Sequence, residues 1–259
     1  MGMIYLIALF LIVIAKAYSF ETIKISVDKL QREFLLYVPA PSTQEKMPVV
    51  FAFHGHGQVL SEAMDKFKLE KNWQEAIIVY PQGLKTAIQP MDPNGKYTGW
   101  QTSIGDKKDR DIRFFDEMMS YLGSAYSIDE KRIYVTGFSN GAAFAYVLAA
   151  ARGDGIAAIA PIAGRLGSYE DLKALKAIPV FHVAGKQDEI VKFKSQKEMI
   201  EYLIKLNKCA DEGNTVNKNI TVYESAINMT VQTFIYNGGH KIPEDAIPFM
   251  VEFFKNNHL

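Results

Sequence analysis

From Glu21 onward, short runs of β-branched and aromatic residues alternate with longer amphipathic stretches. The strand-like runs are "EFLLYVP" (33–39), "PVVFAFHG" (48–55), "AIIVYPQG" (76–83), "RIYVTGF" (132–138), "IAAIAPIAG" (156–164), "IPVFHVAG" (178–185) and "VQTFIYNGG" (231–239). The middle runs are nearly continuous in apolar residues, the pattern of strands buried on both faces of a parallel sheet. Between them, "SEAMDKFKLEKNW", "DIRFFDEMMSYLGSAY", "SNGAAFAYVLAAARG", "KSQKEMIEYLIKLN" and "EDAIPFMVEFFKNN" carry helical spacing. Strand and helix alternating in this way predict one α/β domain over residues 20–259, a three-layer sandwich around a mostly parallel sheet. No Pro/Gly/Ser linker divides it, and too few residues lie outside these elements for a large lid domain. Residues 85–108 are polar, rich in Gly, Pro and Asn, and without periodicity. A loop of that length in a compact domain either lines a site or is disordered.

The first residues break the pattern. "MIYLIALFLIVIA" (3–15) is followed by "KAYS" and then polar chain. About a dozen apolar residues are short for a membrane span but suit the core of a signal peptide. Residues 1–19 are therefore expected to be a leader, cleaved after Ala17 or Ser19, with a retained membrane anchor as the alternative. The mature chain is expected to be secreted or periplasmic, without stable membrane insertion. Hydrophobic residues make up 48% and charged residues 22% of the 259, an ordinary globular mix. Lys+Arg and Asp+Glu balance at 29 each, which gives no field for nucleic acid, and no such partner is expected. Cys209 is the sole cysteine, so no intrachain disulfide can form. Asn219-Ile220-Thr221 and Asn228-Met229-Thr230 match the glycosylation sequon, which has meaning only in a eukaryotic secretory pathway.

The candidate chemistry centres on "VTGFSNGAAF" (135–144), where a strand-like run meets an alanine-rich helical one. Gly-x-Ser-x-Gly alone recurs by accident. At a strand-to-helix boundary it has the context of a nucleophile elbow, in which small residues at 137 and 141 let a sharp turn raise the Ser139 hydroxyl above the sheet edge. The following helix start directs N–H groups at a developing oxyanion. A serine hydroxyl needs a base, and that base follows an acid in chain order at such an elbow. Of the five histidines, His240 lies after a strand-like run and two glycines and before the last helical segment. His182 falls inside a strand-like run and His258 beside the terminus. The acid is expected in "VAGKQDEIV" (183–191): Asp188 is nominated, with Glu189 as its rival. Its carboxylate would orient the imidazole and stabilise the charged ring. "AFHGHGQ" (52–58) follows an early strand-like run, so the backbone N–H groups of His56 and Asn140 are assigned as the oxyanion donors. A metal held by His54 and His56 would lack further ligands at suitable spacing, and no metal or cofactor is expected. Tyr97, Trp100 and Gln101 in the irregular loop are candidate substrate contacts.

Together these stretches resemble a known group. The chain is similar, from about Gln31 to Phe254, to the α/β-hydrolase esterases that include polyhydroxybutyrate-depolymerase-like enzymes and feruloyl esterases. The resemblance rests on "REFLLYVP", "HGHGQ", "VYPQG", the block from Arg110 to Ala149, "AAIAPIAG", "GKQDEIV" and "GGH". Carried over by motif, the family's triad falls on Ser139, Asp188 and His240. The chain departs from the family where Asp-Asp-Val-Gly-Phe becomes Arg110-Asp111-Ile112-Arg113-Phe114, and where His-Gly-x-x-Asp becomes Ala184-Gly185-Lys186-Gln187-Asp188. The resemblance implies a secreted serine carboxylic-ester hydrolase whose substrate is a small or polymeric ester, extended or bulky, of hydroxyalkanoate or feruloyl type. An acyltransferase would use the same triad. A non-catalytic binding protein on the same fold would be expected to have lost a triad member.

Overall fold

Side chains that alternate between two buried faces set the layers of this molecule. The computed structural model describes residues 20–39 and 46–259; the expected leader at 1–19 lies outside the described residues. Along the chain run β1 (Phe20–Val27), β2 (Leu30–Tyr37), β3 (Met47–Phe53), α1 (Leu60–Phe67), α2 (Leu69–Asn72), β4 (Ile77–Pro81), β5 (Leu84–Lys85) and β6 (Thr98–Gly99). Then follow α3 (Arg110–Ala125), β7 (Ile128–Phe138), α4 (Asn140–Arg152), β8 (Ala158–Ile162), α5 (Tyr169–Ala174) and β9 (Val180–Gly185). The chain closes with α6 (Phe193–Leu206), β10 (Asn214–Thr215), β11 (Ile220–Tyr223), β12 (Val231–Tyr236) and α7 (Ile247–Lys255). No helix among the described residues is long and apolar enough to cross a membrane.

Every strand-like run of the sequence is a strand. The main sheet has the order β1-β2-β4-β3-β7-β8-β9-β12-β11-β10. Pairing is parallel from β4 to β12 and antiparallel at both edges. On β3, Val49, Phe51 and Phe53 face one core while Val50 and Ala52 face the other. Helices α3, α4 and α6 cover the first face, and α1, α2 and α7 the second. Burial on both sides explains why the central runs read as continuously apolar. The segment expected as a single helix from Ser61 to Trp73 is broken at Lys68, whose φ of 47° closes α1 in the left-handed region.

The order of the sheet positions the site. The chain leaves β3 for β4 on one side and returns through β7 to strands on the other. Loops leaving the carboxyl ends of β3 and β7 therefore diverge and open a crevice, the place where open α/β sheets bind ligands. An aromatic cluster stiffens the floor below it. Phe53 meets the rings of Trp100 and Phe144 edge-on at 4.9 and 5.0 Å, and Trp100 stacks on Phe144 at 5.4 Å. Such pairs contribute about 0.5–1.5 kcal/mol each beyond burial. They fasten the irregular loop to both β3 and α4.

Candidate active site

Ser139 sits between β7 and α4 with φ 57° and ψ −115°, a left-handed backbone that costs about 1–3 kcal/mol and persists only where its surroundings enforce it. Here they do. The Ser139 N–H donates to Ile162 O at 2.9 Å on β8, and Ser139 O accepts from Ala143 at 3.0 Å in the first turn of α4. A Cβ on Gly137 would strike the carbonyl of Gly141, and one on Gly141 would strike the carbonyl of Phe53. Both glycines are thus required by close backbone approach, as the elbow reading expects.

The three nominated side chains meet although 101 and 52 positions of sequence separate the partners. His240 Nε2 lies 2.8 Å from Ser139 Oγ, and its Nδ1 lies 2.8 Å from Asp188 Oδ2. The Asp188 side chain is fully buried, whereas His240 keeps 16% of its surface exposed. Asp188 follows β9 in a turn that fills its carboxylate. Oδ1 accepts from the amides of Ile190 and Val191, both at 2.9 Å, and Oδ2 accepts from Gln196 Nε2 at 3.1 Å as well as from His240. Glu189, its rival, is exposed and makes no hydrogen bond to His240.

Backbone donors can be found by accounting for every amide in the turn after β3. Gly55 N–H donates to Gln58 Oε1, Gly57 N–H to Thr98 O, and Gln58 N–H to Gly55 O. The His56 N–H finds no acceptor among the described residues, and neither does the N–H of Asn140 at the start of α4. These are the two amides nominated for an oxyanion. Side chains outside the nominated set hold this turn in place. His54 is buried, with Nδ1–H donating to Gly55 O at 2.7 Å and Nε2 accepting from Gly83 N at 2.9 Å. His56 Nε2 pairs with Asp92 Oδ2 at 3.2 Å, so the two rings are engaged separately. Local patterning carries no signal for Asp92, because it enters from the middle of the irregular loop.

Two of the expected substrate contacts are placed elsewhere. Trp100 and Gln101 are both 0% exposed, so neither presents a side chain to the cleft. Trp100 donates its indole N–H to His54 O, while its backbone is clamped at N–H and C=O by the amide of Asn140. Gln101 accepts from the Asp111 and Ile112 amides and ties the loop to α3, beside the buried Arg32–Asp111 ion pair. Both residues brace the site from below, because aromatic and amide groups at the base of a long loop are better satisfied in the core than at its rim. Tyr97 differs: it is 59% exposed and meets the His56 ring edge-on at 6.2 Å. A cleft of about 570 Å³ opens over Ser139 and His240, with Met91, Phe138, Ile190 and Ile242 as apolar wall and Lys66 and Lys241 among its charged lining.

Burial also sets an acid limit on stability. Desolvation holds His54 and His182 at about 4, although Gly55 beside the first ring and Gln196 beside the second favour their charged forms. Both rings are neutral in the folded chain at neutral pH, whereas in the unfolded chain they take up protons near 6.5. Between those values the unfolded state binds more protons, so this contribution to stability is complete above about pH 6.5 and falls as pH drops toward 4. Each ring accounts for about 3 kcal/mol across that window. Urea unfolding at pH 7 and pH 4.5 should differ by roughly 5 kcal/mol, with the acid sample the weaker; equal stabilities would contradict neutral burial of both rings.

Comparison with known proteins gives the family and the fold. Residues 36–238 match the family described as Phospholipase/Carboxylesterase. The chain is 26% identical over 199 residues to a bifunctional acetylxylan esterase/xylanase of Neocallimastix patriciarum, covering 73% of this chain and only 27% of that longer protein. It is 26% identical over 233 residues to the "Probable feruloyl esterase C" of Aspergillus niger, covering 85% of this chain and 79% of that one. The fold matches the acetyl xylan esterase from Aspergillus awamori with a TM-score of 0.69 at 14% identity, over 92% of this chain and 99% of that one. An elbow serine at the switch point of a doubly covered parallel sheet, within a family match over most of the chain, identifies it as a carboxylic ester hydrolase of the α/β-hydrolase fold, belonging to the Phospholipase/Carboxylesterase family.

Proposed function

We propose that the mature chain is a secreted serine esterase that cleaves extended or bulky esters of feruloyl or hydroxyalkanoate type through an acyl-enzyme. The observation that carries the reading is the unbroken chain from Asp188 Oδ2 through His240 to Ser139 Oγ at the floor of an open cleft. Ser139 Oγ attacks the ester carbonyl while His240 Nε2 takes its proton. The carbonyl oxygen becomes an oxyanion, to which the N–H groups of His56 and Asn140 donate. The carbon–oxygen bond to the alcohol then breaks, and the alkoxide leaves with the proton from His240 Nε2. Water repeats the sequence on the acyl-enzyme and frees the acid. Asp188 holds the imidazole with Nε2 free to accept, and stabilises the ring once charged.

The apolar wall of Met91, Phe138, Ile190 and Ile242 supports an acyl group with a flat or extended hydrocarbon part. Tyr97, exposed and in contact with the His56 ring that lines the cleft, is the one of the three loop candidates kept as a substrate contact. The exposed edge of His240 supports access by water and favours hydrolysis over transfer to another alcohol. The apolar run at residues 3–15 supports export. A panel of methyl ferulate, p-nitrophenyl acyl esters and hydroxybutyrate oligomers, with products analysed in the presence of glycerol, tests the reading. Free acid from one of the bulky esters is the expected product. Acyl-glycerol in preference to free acid would replace the hydrolase with an acyltransferase, and no turnover of any ester would sink the substrate assignment.

A further inference from the structure

Behind the nominated acid lies a set of buried polar side chains that neither the triad nor the core accounts for. His182 on β9, Gln196 on α6 and Tyr146 on α4 are each 0% exposed. His182 projects to the sheet face that α4 and α6 cover. There its Nδ1 lies 2.7 Å from Tyr146 Oη. This is the one partner found for the buried Tyr146 hydroxyl among the described residues, so the protonated phenol must donate its hydrogen there. A neutral ring that accepts at Nδ1 carries its hydrogen on Nε2.

Gln196 is fixed from the opposite side. Its amide nitrogen donates to Asp188 Oδ2 at 3.1 Å and to Val191 O at 2.6 Å, which uses both of its hydrogens. A flipped amide would set Oε1 against a carboxylate and a carbonyl, so the orientation is determined by the acceptors. Two buried atoms of this set then find no hydrogen-bond partner among the described residues: His182 Nε2, a donor, and Gln196 Oε1, an acceptor. Each is the complement of the other, and a buried polar atom left unmatched is costly. The Gln196 side chain is also the polar neighbour that favours the charged His182 ring.

We propose that Tyr146, His182 and Gln196 form one directed hydrogen-bond chain, with His182 Nε2–H donating to Gln196 Oε1, and that this chain positions Asp188 for His240. Every donor is then matched, from Tyr146 Oη–H to His182 Nδ1, from His182 Nε2–H to Gln196 Oε1, and from Gln196 Nε2 to Asp188 Oδ2. Gln196 is a positioning residue, since it reaches the reacting atoms only through Asp188 and His240. The chain links the helix that begins at the nucleophile to the turn that carries the acid. The inference rests on the reading of Asp188 as the triad acid.

The test uses the mature protein and two readouts: steady-state kinetics on an ester that it turns over, and the far-downfield proton resonance of the Asp188–His240 hydrogen bond. Gln196→Met should lower kcat roughly 10- to 100-fold, the range for a hydrogen bond to a charged group, with KM changed by less than about threefold. The resonance should move or broaden. Tyr146→Phe should lower kcat by roughly fivefold alone and should add nothing in the Gln196→Met background, because the chain is already cut. A kcat within about twofold of wild type in Gln196→Met, or a Tyr146→Phe effect of equal size in both backgrounds, would overturn the proposal. A lowered melting temperature with kcat and resonance intact would also overturn it, since that is a packing role only. If Gln196→Met does not fold, Tyr146→Phe decides alone: an altered resonance supports the chain and an identical one refutes it. Failure of the wild type to turn over any ester would count against the function proposed above; the resonance would still report on the chain, since it needs no substrate.

Discussion

Ser139→Ala is expected to lose ester turnover by about 10⁴-fold or more while the protein folds as before. Among the described residues the hydroxyl's partner is His240 Nε2, on a ring that stays partly exposed in the cleft, so its removal leaves a nitrogen that water can reach. The left-handed backbone at residue 139 is enforced by the hydrogen bonds to Ile162 and Ala143, and alanine makes both. The remaining oxyanion donors and the cleft keep only a residual acceleration over water, because nucleophile and base act as one unit. A fluorophosphonate probe should label the wild type and spare the variant. Labelling of the variant at a different serine would show that the elbow was assigned wrongly.

Asp188→Asn should lower kcat by a comparable amount, on the order of 10⁴, with little change in KM or in protein yield. The amides of Ile190 and Val191 both point at Oδ1, so the asparagine must keep its oxygen there and turn its NH₂ toward His240 and Gln196. Two donors then face donors. His240 escapes the clash by moving its hydrogen to Nε2, and in that tautomer it cannot accept the Ser139 proton. Gln196 has no such escape, because its second hydrogen is already committed to Val191 O. Glu189→Gln is the control. Its side chain is exposed and makes no bond to His240, so activity should stay near wild type; a larger loss there than in Asp188→Asn would exchange the two roles.

The sequence by itself determined the sheet's central strands, the main helices and the three side chains that meet above them. The reason is that these features are local. Burial on two faces leaves a continuous apolar run, a strand-to-helix boundary frames Ser139, and chain order confines the base and the acid to short loops. Strands at the sheet edges left weaker traces. In β1, Glu21, Thr22 and Lys24 interrupt the apolar pattern because one face of an edge strand meets solvent. The β10–β11 hairpin is short and largely exposed for the same reason.

Tertiary structure alone decided which polar residues serve the site and which support it. Trp100 and Gln101 have the composition of a substrate wall, but the aromatic cluster and the Asp111 pairing draw them into the core. Asp92 reaches His56 across 36 residues, and Gln196 reaches Asp188 from the buried side of an ordinary amphipathic helix. Neither spacing nor composition marks such residues. Their partners are fixed only when the loops and helices settle on the sheet, where a buried polar group must find its complement in three dimensions and not along the chain.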